Sequence, residues 1–199
     1  MSKLLIISAD CHAGATPAIY REYLPARFRD AADAWWIAFA KEMMSRAGTF
    51  FDQEAIDEYA EKAGDDGLSR MRRAADQLPD ANDEALRMLL EDETGLFAPR
   101  KGEWDPAVRL REIEADGVVG EAIFPQMAPF GAGLMQYRAP IDPEQNLAGI
   151  RAYNRFLADL CNTNPGRHAG VALVNVDDID ITVREVRAAK EMLTSCRSR

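Results

Sequence analysis

Asp10 and His12 are the two residues of this chain whose types and spacing could do chemistry together. They lie in Ser8-Ala-Asp10-Cys11-His12-Ala-Gly14, where the first apolar run gives out. Residues two apart on an extended backbone face the same side. Asp10 and His12 then project together while Cys11 points away. A carboxylate beside a neutral imidazole makes half of a site for zinc or another divalent ion. The opposing reading is a polar strand end, because Asp-x-His also arises by chance.

Several elements must position that pair. Lys3–Ala9 is a short apolar run with β-branched content and reads as a buried strand. Pro17 opens one helix; Pro25 ends it and opens the next, over Arg27–Arg46. Asp52 caps Gln53–Lys62, Gly64-Asp-Asp-Gly67 breaks it, and further helices are predicted at Leu68–Gln77 and Asp83–Glu91. Thr94–Trp104 reads as loop. Asp105-Pro106 then starts a helix over Val108–Asp116, which Gly117 ends. Val118–Phe124 is a strand closed by Pro125, followed by a loop from Gln126 to Pro140. Asp142 caps a helix reaching about Leu160, with Gln145 at the capping-box position. Leu147, Ile150, Tyr153, Leu157 and Leu160 share one of its faces. Ala169–Val174 is the third strand and Asp180–Met192 the last helix. Alternating helix and strand in the second half predicts βα units on a parallel sheet. The span 15–104 is a large helical insertion after the first strand, within one α/β domain covering 1–199.

Composition excludes several classes. The 199 residues carry 24 Lys and Arg against 33 Asp and Glu, for a formal net charge of −9. That balance opposes nucleic-acid binding and attachment to anionic lipid. No run approaches the roughly 20 apolar residues that cross a bilayer. The N-terminus has no secretory signal pattern. Three cysteines, Cys11, Cys161 and Cys196, have no paired spacing, which fits a reducing cytoplasm and no disulfide framework.

The segment around Asp10-Cys11-His12 resembles the opening of the amidohydrolase superfamily. The nearest branch is the amidohydrolase-related group, similar to aminocarboxymuconate-semialdehyde decarboxylase. Leu110-Arg-Glu-Ile-Glu-Ala-Asp-Gly-Val-Val-Gly-Glu-Ala-Ile-Phe-Pro125 resembles that group's second helix–strand step. Tyr153-Asn-Arg-Phe-Leu-Ala-Asp-Leu-Cys161 with Pro165-Gly-Arg-His-Ala-Gly-Val-Ala-Leu-Val174 resembles the next. The resemblance implies a TIM-type (β/α)8 barrel holding one divalent metal, zinc or manganese, on Asp10 and His12. It implies a metal-dependent hydrolase acting on a C–N or C–O bond, or a non-oxidative decarboxylase of a small carboxylic acid. The family's later ligands have no counterpart here, so the catalytic and substrate-binding residues stay unassigned. Three strands make only about three βα units of such a barrel. The chain is accordingly expected to be the N-terminal part of a longer protein, with an uncovered sheet face. The competing class is an inactive fragment or a helical interaction module. The expected partner is a small-molecule substrate, and self-association into a homo-oligomer stays open.

Other residues have blander readings. His168 precedes the third strand, at the rim that serves stability in such barrels, and is expected in a turn or at the surface. Cys11 and Cys161 are expected to pack. Trp35, Trp36 and Phe39 have helical spacing and read as core more readily than as pocket lining. Arg21, Arg27 and Arg29 lie where a substrate carboxylate would be met, with nothing to single one out. The glycines of Gln126–Gly133 would let a ligand approach the backbone closely, or serve a loop with no binding role.

Overall fold

The structure is a computed structural model that describes residues 5–50, 83–91, 99–132 and 142–194. Strands β1 (Ile6–Ala13), β2 (Val118–Pro125) and β3 (His168–Gly170) form a parallel sheet in sequential order β1-β2-β3. Seven helices accompany it among the described residues. They are α1 (Pro17–Tyr23), α2 (Ala26–Phe50), α3 (Asp83–Leu90), α4 (Lys101–Trp104), α5 (Pro106–Ala115), α6 (Pro143–Asn162) and α7 (Ile179–Thr194).

Helix starts follow the cap residues. The Asp105 carboxylate accepts from the amides of Ala107 and Val108, with Pro106 in the first turn of α5. Asp142 accepts from the Gln145 amide at the start of α6. Gly117 ends the α5 connection with φ 75°, a left-handed conformation that glycine adopts without strain. On α6, Ile150, Tyr153, Leu157 and Leu160 are buried as their spacing predicts, and Leu147 is half-buried.

Helix α6 lies against the sheet. A Cβ on Gly170 of β3 would come within 2.9 Å of Leu157 Cδ2, so glycine permits that approach. Ile123 of β2 is fully buried on this side. Trp36, Tyr20, Tyr153, Phe156 and Leu157 join it in the main core. Trp35 stacks on Phe39 with centroids 5.2 Å apart, and both pack on that core. Trp35, Trp36 and Phe39 are therefore packing residues.

Four expectations change. β1, expected to be a buried strand, is buried only at Ala13, because one face of the sheet carries no covering element among the described residues. β1 runs on to Ala13 instead of ending at Ala9, so Asp10 and His12 lie within the strand. The pairing advances from Ser8↔Glu121 to Cys11↔Ile123, which leaves one extra residue in β1, a bulge. Lys101–Trp104 forms one helical turn where a loop was expected. β3 spans three residues rather than Ala169–Val174. The cause is a side chain: the Asn154 amide donates to the Leu173 carbonyl at 2.8 Å and accepts from the Leu173 amide at 2.9 Å. It takes the place of a neighbouring strand just past Pro125, which has no amide proton to offer. The expected elements at Gln53–Lys62, Gly64–Gly67 and Leu68–Gln77 lie outside the described residues.

Among the described residues, nothing covers the other sheet face. Ile7 is 72% exposed, and Leu5 and Phe124 are also exposed. Helix α7 adds an outward stripe of Ile179, Val183 and Val186. Among the described residues, no helix is long and apolar enough to cross a membrane.

Candidate metal centre

Strand β1 brings Asp10 and His12 together as their spacing predicts. His12 Nε2 stands 3.4 Å from Asp10 Oδ1, at the solvent-facing rim, with the side chains 47% and 85% exposed. His12 Nδ1 lies 3.1 Å from the Pro125 carbonyl oxygen. A carbonyl oxygen only accepts, so this contact is a hydrogen bond when Nδ1 carries the proton. The Nε2 lone pair of the neutral ring then faces the carboxylate. Two acceptors at that distance call for a proton or a cation between them. The His12 ring also lies beside Phe124, its register partner on β2, with centroids 6.3 Å apart.

The spacing also suits a metal. Tetrahedral zinc with bonds of about 2.0–2.1 Å sets two ligand atoms about 3.3 Å apart. The Nδ1–H to carbonyl contact is the outer hydrogen bond that fixes a ligating histidine's tautomer. As two donors of a site, the pair fits zinc or manganese. Catalytic zinc takes three protein ligands, and among the described residues no group of three His, Cys, Asp or Glu side chains is placed to hold a metal ion.

Beneath the rim lies a buried charge cluster that the spacing of Asp10 and His12 did not reveal. Arg109 of α5 closes on Glu121 of β2 through Nε to Oε1 at 2.6 Å and Nη2 to Oε2 at 2.9 Å. Their side chains are 6% and 0% exposed. Arg109 Nη1 donates onward to the carbonyl oxygens of His12 at 3.0 Å and Gly102 at 3.1 Å. His168 Nδ1 sits 2.8 Å from Glu121 Oε1, an ion-pair distance without hydrogen-bond geometry, and its Nε2 has no hydrogen-bond partner among the described residues. Burial raises the Glu121 pKa, but His168 and Arg109 outweigh it and hold the carboxyl down at about 2. The turn or surface position expected for His168 is thus wrong: its side chain is fully buried. Its register partner Glu121 draws it inward.

The sequence did carry a signal for this cluster. Glu121 is a charge inside the apolar run Val118–Phe124, and a buried carboxylate needs a cationic partner. Glu103 on α4 is a second residue missed. Its Oε1 accepts from the Arg100 amide at 3.2 Å, Oε2 is buried without a hydrogen-bond partner among the described residues, and burial pushes its carboxyl up.

The remaining candidates are occupied elsewhere. Cys11 Sγ donates to Ser8 Oγ at 3.0 Å, and burial raises its pKa, so the thiol is not activated. Cys161 is buried. Arg21 pairs with Asp30 and Asp33, Arg27 with Glu144, and Arg29 donates to the Leu24 carbonyl. The turn Pro129–Gly131 is buried, with Phe130 at φ 63° and Gly131 at φ 65°. It packs on α6, where a Cβ on Gly149 would fall 2.2 Å from the Pro129 oxygen. Its glycine thus serves a turn that packs closely, not an open approach.

Comparison with protein-family models, with curated proteins and with solved structures gives no match.

Proposed function

We propose that Asp10 and His12 are two ligands of a divalent-metal site, zinc or manganese, in a metal-dependent hydrolase or non-oxidative decarboxylase of amidohydrolase type. The observation that carries this is the 3.4 Å approach of His12 Nε2 to Asp10 Oδ1, with Nδ1 turned to the Pro125 carbonyl. Sequential parallel strands with a helix between each pair support the further reading that the sheet is three strands of a (β/α)8 barrel. In that fold the carboxyl ends of the strands carry the chemistry, and Asp10 and His12 lie near the carboxyl end of β1.

A divalent ion there supplies Lewis acidity toward a water or a substrate oxygen. Asp10 contributes the negative charge that holds a cation. His12 contributes a neutral nitrogen whose direction its outer hydrogen bond sets. The substrate class is a small molecule with an amide, ester or lactone bond, or with a carboxylate to be lost.

The test is metal content of the purified chain, measured by elemental analysis after exchange into chelator-treated buffer with added zinc or manganese. One equivalent of metal is expected with added zinc or manganese present, lost in Asp10→Ala and in His12→Ala. Metal at background in the unsubstituted protein would overturn the proposal. The pair would then be a solvated ion pair on a chain without catalysis, or on a helical interaction module.

A further inference from the structure

We propose that Arg109 is the positioning residue of the Asp10–His12 pair. It acts by fixing the peptide carbonyl of His12, and so the direction in which the imidazole leaves β1. This deepens the metal-site reading and rests on it for its consequence, though its geometry stands alone.

The guanidinium makes four hydrogen bonds: two to Glu121, one to the Gly102 carbonyl and one to the His12 carbonyl. A planar fork can serve a carboxylate and two carbonyls at once only if all three are held in place. Glu121 is held. It pairs in register with Ser8 of β1 and His168 of β3, and its oxygens are saturated by Arg109 with His168 alongside. The anchor is thus the middle of the sheet, and the held object is the end of strand β1 at His12, just before Ala13. His12 is gripped twice, at its carbonyl by Arg109 and at its ring by Pro125. The grip matters because β1 is bulged just upstream, between Ser8 and Cys11, which leaves Asp10 without a register partner on β2, while His12 is back in register with Phe124 and is the fixed member of the pair. A fold staple alone would need only the contact with Glu121. The bond to the His12 carbonyl reaches from that staple to the rim.

The experiment uses Arg109→Lys, which keeps the charge but cannot form the fork. Circular dichroism and a melting curve report the fold. The chain has two histidines, so ¹⁵N imidazole spectra contain two rings, assigned with His12→Gln. The unsubstituted protein should show His12 as one tautomer, protonated at Nδ1. In folded Arg109→Lys, His12 should become a tautomer mixture, and zinc binding should weaken by about tenfold or more. Arg111→Lys, on the exposed face of α5, should change neither. A folded Arg109→Lys with an unchanged His12 ring spectrum overturns the proposal. Should that variant not fold, Glu121→Asp keeps both charges and withdraws the carboxylate by one methylene; the same two outcomes then decide. An unsubstituted protein that takes up no zinc sinks the metal-site reading, while the tautomer comparison still decides the role of Arg109.

Discussion

Glu121 and His168 are register partners on neighbouring strands, and their side chains meet 2.8 Å apart in the interior with no exposure to solvent. With Arg109 on the other side of the carboxylate, this gives acid a specific point of attack. The Glu121 carboxyl is held at about 2, below its ordinary 4.5. A depressed carboxyl stabilises the fold above its unfolded value and loses that contribution as pH falls through the folded value. Melting temperature should therefore fall as pH drops from about 4.5 toward about 2. Glu121→Gln should be destabilised by about 3–5 kcal/mol at pH 7, because it strands a buried guanidinium. Its melting temperature should depend less steeply on pH in that window. An equal slope in both proteins would contradict the assignment.

Gly149→Ala should destabilise the protein despite alanine's better helix propensity. The gain from propensity is about 1 kcal/mol. Against it, the new Cβ would sit 2.2 Å from the Pro129 carbonyl oxygen, a backbone atom with no flexible end to swing aside. Overpacking of that kind costs about 1–3 kcal/mol. Urea unfolding should show the midpoint falling. A rise would mean that the turn at Pro129 yields readily.

Asn154→Ala should free the backbone of Leu173. Both hydrogen bonds from the amide to that residue disappear, at about 1 kcal/mol each and more if the groups stay buried. Hydrogen exchange at the Leu173 amide should accelerate sharply, while exchange within β1 and β2 changes little. Asn154→Asp keeps the acceptor and loses the donor, so its Leu173 amide should stay protected.

These elements show what could be read from the chain. Capped helices were legible because one residue type at one position sets each start, as at Asp105 and Asp142. The pairing of Asp10 with His12 was legible because alternation needs no knowledge of the rest of the fold. The length of β3 was not, because a side chain 19 positions away ends it. The burial of His168 was not, because it depends on which residue of β2 lies beside it. The same holds for Arg109, whose reach to His12 spans 97 positions.

The open sheet face should make the chain associate or bind hydrophobic dyes. Parallel sheets are normally covered on both sides, yet Leu5, Ile7 and Phe124 face solvent. Light scattering should show particle size rising with concentration, and Ile7→Lys should reduce both that rise and dye fluorescence. A monodisperse monomer that leaves the dye dark would show that this surface is too small or too well hydrated to matter.

The supernumerary residue between Ser8 and Cys11 has a consequence for how this rim can vary. It works as slack in the polypeptide: one peptide unit that can be taken up or let out without shifting the ladder beneath. Removing Ala9 would restore plain alternation and still leave carboxylate and imidazole on a common side. The rim can thus lose that residue while the spacing of the two donors, set by Cys11 between them, stays as it is.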